Sequence, residues 1–262
     1  MPRREFPRVR CGRTRAAGYH APVREGENGT GAAAVILASG SGVRVGGELN
    51  KVYLPLNGRA VVAWSLRTFA ATAGIGTLVL VVRPQDEALA GEVLGLEGQE
   101  SAVEIVHGGA QRQDSELLAL RHLAARISSG AIDVVLMHDA ARPLVRRELV
   151  SAILAAAREP AGAVPGVPRD GIVMASEDGD VAEADLGTMM AMQTPQGFLA
   201  RPLLAAYEQA AADGFYGTDT AACVTRHTGL QARCIPGDDR NIKITYPHDL
   251  VVAERYLASS SP

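Results

Sequence analysis

At 262 residues, 47% hydrophobic and 21% charged, the chain has the makeup of a globular protein with room for one large α/β core or two small domains. Its formal net charge of −3 gives the whole molecule no general pull on nucleic acid, and no apolar run approaches the roughly 18 residues of a membrane span. Cys11, Cys223 and Cys234 are widely spaced with no CxxC pair, which argues against a zinc site or disulfide framework and for a reducing cytoplasm.

Residues 1–31 carry seven arginines and three acids, a balance of +4 that leaves −7 for the remainder. The segment has little apolar periodicity and no apolar core of a secretory signal, so it reads as a disordered Arg-rich extension. From residue 32 onward, apolar runs rich in β-branched residues alternate with longer helical stretches. Strands are expected over 32–38, 77–82, 102–106, 133–138 and 162–167, and helices over 61–73, 85–94, 112–127, 147–158, 200–212 and 247–257. This alternation predicts an α/β domain with a mostly parallel sheet and helices on both faces. The stretch from about 169 to 193 breaks the rhythm. Its Glu177-Asp178-Gly179-Asp180 turn suggests a projecting hairpin, whose apolar side a second subunit would cover. The rest, 32–262, is expected to form one domain.

In such sheets ligands sit beyond the carboxyl ends of the strands, and the unusual segments fall there. After the first strand come Ala38, Ser39, Gly40, Ser41 and Gly42, then Arg44 and Lys51. Glycine lets backbone N–H groups turn toward an anion, and two cations on the same loop suit several phosphates. A turn with two solvated cations is the bland reading. The match to the dinucleotide fingerprint is loose: the first helix starts well past the glycines, and the second strand ends at Arg83-Pro84 rather than at an acid.

Further along, Gly108-Gly109-Ala110-Gln111-Arg112-Gln113-Asp114-Ser115 lies at a strand-to-helix junction with N–H groups available for ligand oxygens. Ser115 either reaches a base or sugar or, with Asp114, caps the helix. Arg112 can brace the loop. In His138-Asp139-Ala140-Ala141-Arg142-Pro143, Asp139 suits Mg²⁺, which takes one or two carboxylates plus phosphates; the alternative is a loop cap paired with Arg142. His138 reads as structural. Thr194 in Gln193-Thr194-Pro195-Gln196 and Thr218 before Asp219 offer hydroxyls that either orient a polyol phosphate or serve turns and N-caps. Lys243 in Asn241-Ile242-Lys243-Ile244-Thr245 either points into the site or guards an edge strand.

Taken together and in this order, the glycine loop with its Arg and Lys, GGxxRxxS, HDAARP, QTPQ, TD and NIKIT resemble the 2-C-methyl-D-erythritol 4-phosphate cytidylyltransferase family over about residues 33–258. The resemblance implies a Rossmann-like domain whose β-arm makes a homodimer. It implies transfer of CMP from CTP, with Mg²⁺, to a polyol phosphate, with release of pyrophosphate, in isoprenoid precursor synthesis. Carried over by motif, Arg44 and Lys51 stabilise the pentavalent phosphorus and Lys243 contacts phosphates. Ala38, Ser39, Gly40, Ser41, Gly42, Gly109, Arg112 and Ser115 hold the nucleotide. Asp139 binds the metal, and Thr194, Thr218 and Asp170 face the acceptor.

The departures fall on the acceptor side. Gly171 stands where the family carries threonine. Leu186 lies near the place of an arm arginine, and 172–191 contains no Lys or Arg. A bidentate arginine missing from a phosphate site costs affinity, so another acceptor, such as ribitol 5-phosphate or a phosphonate, is the alternative on the same chemistry. A nicotinamide oxidoreductase and a non-catalytic nucleotide binder are remoter readings.

Overall fold

The computed structural model describes residues 31–40, 49–100, 102–159, 162–170, 174–175, 181–182 and 189–259. The expected N-terminal extension, apart from Gly31, lies outside them, as do Gly171 and Leu186. In chain order the elements are β1 (Gly31–Leu37), β2 (Pro55–Leu56), β3 (Arg59–Ala60), α1 (Val61–Ala70), β4 (Ile75–Val82), α2 (Glu87–Glu97), β5 (Val103–His107), α3 (Arg112–Ser129), β6 (Ile132–Asp139) and α4 (Arg147–Ala157). They continue with β7 (Ala163–Pro168), β8 (Met174–Ala175), β9 (Val181–Ala182), β10 (Met190–Met192), β11 (Gln196–Leu199), α5 (Ala200–Asp213), α6 (Thr220–Thr228), β12 (Arg233–Pro236) and α7 (Pro247–Ala258).

The main sheet has eight strands in the order β10-β7-β11-β6-β1-β4-β5, with β12 also on β7. The strands β5, β4, β1 and β6 pair in parallel, whereas β11 runs antiparallel to β6 and β10 antiparallel to β7. The alternation in sequence thus yields the mostly parallel α/β sheet expected of it. Side chains along β1 take opposite faces in turn. Ala32, Ala34 and Ile36 join the core beneath α1, α2 and α4, while Ala33, Val35 and Leu37 join the core beneath α3, α5 and α6. Each helix presents an apolar stripe to its layer: α4 buries Leu149, Val150, Ile153, Leu154 and Ala157, the spacing of one helical face. Each fully buried Leu, Ile or Val contributes about 1.5–3 kcal/mol.

Several boundaries differ from expectation for local reasons. Helix α1 stops at Ala70, ahead of Gly74 in the left-handed region at φ +88°. Helix α3 runs on to Ser129 and ends against Gly130 at φ +82°, the usual left-handed glycine stop. Helix α6 was not expected; Asp219 starts it by accepting a hydrogen bond from the Ala222 N–H at 2.8 Å. The segment around Lys243 is not an edge strand but an irregular run in which Asn241 and Ile244 are fully buried. Within 169–193, β8 pairs antiparallel with β9, and β10 returns along β7.

Candidate active site

The connections from β1 leave to opposite sides of the strand, toward β4 on one edge and eventually β6 on the other. That reversal opens a crevice at the carboxyl ends of the strands. The register brings Leu37 beside Val81 on one side and Asp139 on the other. A cleft of about 620 Å³ lies there, within the roughly 300–1,000 Å³ of small-molecule sites. Of the residues singled out in the sequence, Ser39, Gly40, Lys51, Gly109, Arg112, Ser115, Asp139 and Lys243 line it. Ala38 lies buried behind it. Ser41, Gly42 and Arg44 lie outside the described residues.

The two glycine-bearing loops are tied to each other. Ser39 Oγ donates to Ser115 Oγ at 2.8 Å, and Ser115 Oγ accepts from the Gly109 N–H at 3.1 Å while donating to the Gln111 carbonyl at 3.1 Å. Ser115 is 1% exposed, and its hydroxyl binds the two loops together at the wall of the cleft. Gly108 is required by closeness: a Cβ there would lie 2.5 Å from Ser39 Cβ and 2.7 Å from Ser115 Oγ. Asp114 acts as the cap, accepting from the Gln111 N–H at 2.9 Å.

Charge concentrates on Asp139. Its Oδ1 accepts from Arg112 Nε at 3.1 Å and its Oδ2 from Lys243 Nζ at 2.8 Å. Burial pushes this carboxyl up, but Arg112 and Lys243 outweigh burial and hold it below the usual carboxylate range. It is therefore an anion at neutral pH. The ion pair considered with Arg142 does not form. Arg142 instead donates to the Asn241 carbonyl at 2.7 Å and the Met192 carbonyl at 3.4 Å, bracing the segment that carries Lys243. The Ile244 N–H adds a bond to the Ala141 carbonyl at 2.8 Å.

His138 is structural, as expected. It is fully buried, and burial drives its pKa down to about 3. Its Nε2 lies 3.2 Å from the Arg142 carbonyl, an acceptor only, so Nε2 carries the proton and Nδ1 accepts from Thr194 Oγ1 at 3.1 Å. The Thr194 hydroxyl in turn accepts from the Asp139 N–H at 3.0 Å. Thr194 is 4% exposed. Its place is behind Asp139, fixing the end of β6, and not in the cleft facing an acceptor. Thr218 and Asp170 are exposed and do not line the cleft; Thr218 sits on the loop before α6.

Several site residues escaped the sequence reading. Asn50 is buried and donates to the Ala38 carbonyl at 2.9 Å and to Asp86 at 3.1 Å, and Arg83 grips Asp86 through Nε and Nη2 at 2.6 and 2.8 Å. This network anchors the far end of the glycine loop next to Lys51, and Arg83 and Asn50 both line the cleft. Arg83 at the end of the second core strand was a readable signal, being a cation at a ligand-facing position. Asn50 and Asp86 carried none, because their partners are set by packing. Among the described residues no group of three or more His, Cys, Asp or Glu gathers as a metal cage.

Comparison with known proteins agrees with this geometry. The 2-C-methyl-D-erythritol 4-phosphate cytidylyltransferase (IspD) family profile matches residues 32–259. The enzyme of that name from Cereibacter sphaeroides is 41% identical over 227 residues, covering 86% of this chain and 96% of that protein. The Geobacter metallireducens enzyme is 38% identical over 232 residues, covering 87% and 98%. Among solved structures, 4-diphosphocytidyl-2C-methyl-D-erythritol synthase from Anaerococcus prevotii superposes with a TM-score of 0.76 at 26% identity, over 88% of this chain and 97% of that one. The Thermus thermophilus cytidylyltransferase gives 0.65 at 29% identity, over 87% and 100%. With its fold, its cleft and its sequence in agreement, the chain belongs to the 2-C-methyl-D-erythritol 4-phosphate cytidylyltransferase family, whose members are CTP-dependent enzymes.

Proposed function

We propose that this protein transfers CMP from CTP to 2-C-methyl-D-erythritol 4-phosphate, giving the CDP-polyol and pyrophosphate. The observation that carries the reading is one cleft at the strand ends lined by Lys51, Arg112, Asp139 and Lys243. An acceptor phosphate oxygen attacks the α-phosphorus in line and pyrophosphate leaves. The acceptor phosphate is already an anion, so no general base is needed, and catalysis consists of positioning and charge neutralisation. Lys51 and Arg44 neutralise charge on the transferring group. Lys243, held at the mouth of the cleft by Asp139, is the cation an incoming phosphate can engage.

Asp139 fits Mg²⁺ in one limited sense. It is an ionised carboxylate whose oxygens each have a second acceptor position beyond the bonds to Arg112 and Lys243. Mg²⁺ commonly binds through one carboxylate plus substrate phosphates, so Asp139 would hold it together with the triphosphate. The ion supplies charge neutralisation of the phosphates. Homodimerisation through the 169–193 arm is supported by the short β8–β9 ladder and the return of β10 along β7. A cytoplasmic location is supported by the spacing of the cysteines and the buried thiol of Cys223.

One observation favours a second acceptor: 172–191 holds five acids and no Lys or Arg, a poor surface for an acceptor's phosphate. The test is pyrophosphate release from CTP with Mg²⁺ across methylerythritol phosphate, ribitol phosphate, erythritol phosphate and a small phosphonate. Preferred turnover of methylerythritol phosphate is expected, and release with another acceptor alone would move the enzyme to that substrate. In the same assay Lys51→Ala should lower kcat by about 10²–10³, the usual effect of deleting one transition-state charge contact, with its melting temperature unchanged.

A further inference from the structure

The mechanism leaves one ionisable group without a task. Glu116 is 1% exposed and lies one helical turn beyond Arg112 on α3, beneath the cleft and not among the residues that line it. Three donors from three helices converge on it. Arg112 Nη1 and Thr220 Oγ1 donate to Oε1 at 2.8 and 2.6 Å, and Tyr207 Oη donates to Oε2 at 2.8 Å. Arg112 then reaches Asp139 through Nε, and Asp139 reaches Lys243. The buried carboxyl is thus the far end of a chain that runs from the core to Lys243 in the cleft.

Stability alone does not account for it. Burial pushes the Glu116 carboxyl above its ordinary range, with Arg112 and the Thr220 and Tyr207 hydroxyls pulling the other way, and an apolar side chain of similar volume is often as stable or more so in place of a buried ion pair. Its neighbours on α3 that face the same layer, Leu117, Leu120 and Leu123, are apolar. What a carboxylate adds is a fixed second anchor for a planar, forked cation. With Asp139 as its one anionic partner, the Arg112 guanidinium would be held at one edge only and would be freer to turn about its stem. Held on Nη1 by Glu116 and on Nε by Asp139, it is fixed at two of its three nitrogens, and the second Asp139 oxygen is with Lys243.

We propose that Glu116, steadied by Tyr207 and Thr220, is a positioning residue that fixes the Arg112 guanidinium and thereby the Asp139–Lys243 pair in the cleft. This deepens the cytidylyl-transfer reading and rests on it for the activity readout. The test therefore includes a readout that needs no turnover. In ¹⁵N-labelled protein the Arg112 Nε–H resonance, identified by its loss in Arg112→Lys, reports whether the guanidinium is held. Glu116→Gln keeps the shape and removes the charge. It should broaden or shift that resonance and lower kcat with CTP and methylerythritol phosphate at least tenfold, while KM for CTP changes less than threefold and the variant still unfolds cooperatively. Thr220→Val and Tyr207→Phe, which each remove one bond to Glu116, should show the same two changes in milder form, about two- to fivefold in kcat.

A folded Glu116→Gln with the resonance and kcat unchanged overturns the proposal. If that variant does not fold, an unchanged resonance in both Thr220→Val and Tyr207→Phe overturns it instead. If the unaltered enzyme fails to use methylerythritol phosphate, the functional reading falls, whereas a shifted Arg112 resonance in Glu116→Gln still supports the positioning role.

Discussion

Gly108 has no room for a methyl group, since an added Cβ would press on Ser39 and Ser115 at 2.5 and 2.7 Å. Both neighbours belong to the hydrogen-bonded knot that joins the two ligand loops, so neither can withdraw freely. Gly108→Ala should therefore destabilise the fold by about 1–3 kcal/mol, the usual cost of overpacking, and also weaken CTP binding. Urea unfolding and calorimetric titration with CTP measure the two effects separately. An alanine variant with unchanged stability and CTP affinity would show that the loops are not coupled. At this scale the sequence was informative about residue type and less so about residue role. Asp139 was picked out as a carboxylate at a strand end and Lys243 as a cation in an apolar alternating segment, and the fold puts them 2.8 Å apart. Ser115 and Thr194 each read as either a ligand contact or a local structural group; Ser115 lines the cleft with its hydroxyl tied to both loops, and Thr194 is buried behind Asp139. A hydroxyl's chemistry is visible in its letter, but which way it points depends on packing from segments far away in the chain.

Helix α3 is fastened at both ends by different means. Its first turn carries Arg112, Asp114 and Ser115 into the site, and its last turns are clamped to β5 by Glu104. Arg126 reaches both Glu104 oxygens at 2.6 Å, and His122 adds a further bond. Hydrogen bonding from Arg126 holds the Glu104 carboxyl down at about 2, against an ordinary value of 4.5. A carboxyl with a depressed folded pKa stabilises the protein above its unfolded pKa, and that contribution is lost as pH falls toward the folded one. The group is partly exposed, so solvent screening limits the pair to about 0.5–1 kcal/mol. Glu104→Gln should lower stability by that amount at pH 7, and the gap should narrow as pH drops from 4.5 toward 2. Urea midpoints of both proteins at pH 7 and near the acid end check it; a gap that widens in acid would contradict the ion-pair account. Elements with strong periodicity were legible in the sequence. The short strands β10, β11 and β12 and the helix α6 were not, because each is held by pairing or capping partners and not by an apolar repeat of its own.

At the scale of the whole molecule, β1 is the centre of the design. It is flanked by β4 and β6, its residues feed both apolar layers, and its end opens onto the cleft. The Gly31 N–H bonds to the Ala131 carbonyl at 2.9 Å, and the family match begins at residue 32. Removal of residues 1–30 should accordingly leave the melting temperature within a few degrees and kcat/KM within about twofold, measured by calorimetry and pyrophosphate release. A large loss of activity would assign the arginine-rich segment a part in the reaction. The chain's own order of apolar runs, glycine loops and helical stretches determined the α/β class, the parallel core and the position of the ligand loops, because periodicity and turn chemistry are local properties that a linear sequence carries in full. Only the tertiary structure decided that Arg112 would stand between two carboxylates, that Thr194 would brace Asp139 from behind, and that Glu116 would lie under the site with Tyr207 and Thr220 around it. Apart from Arg112 and Glu116, one helical turn apart, those pairings join residues 27 to 104 positions apart, and their free energy depends on burial, which does not exist until the layers close.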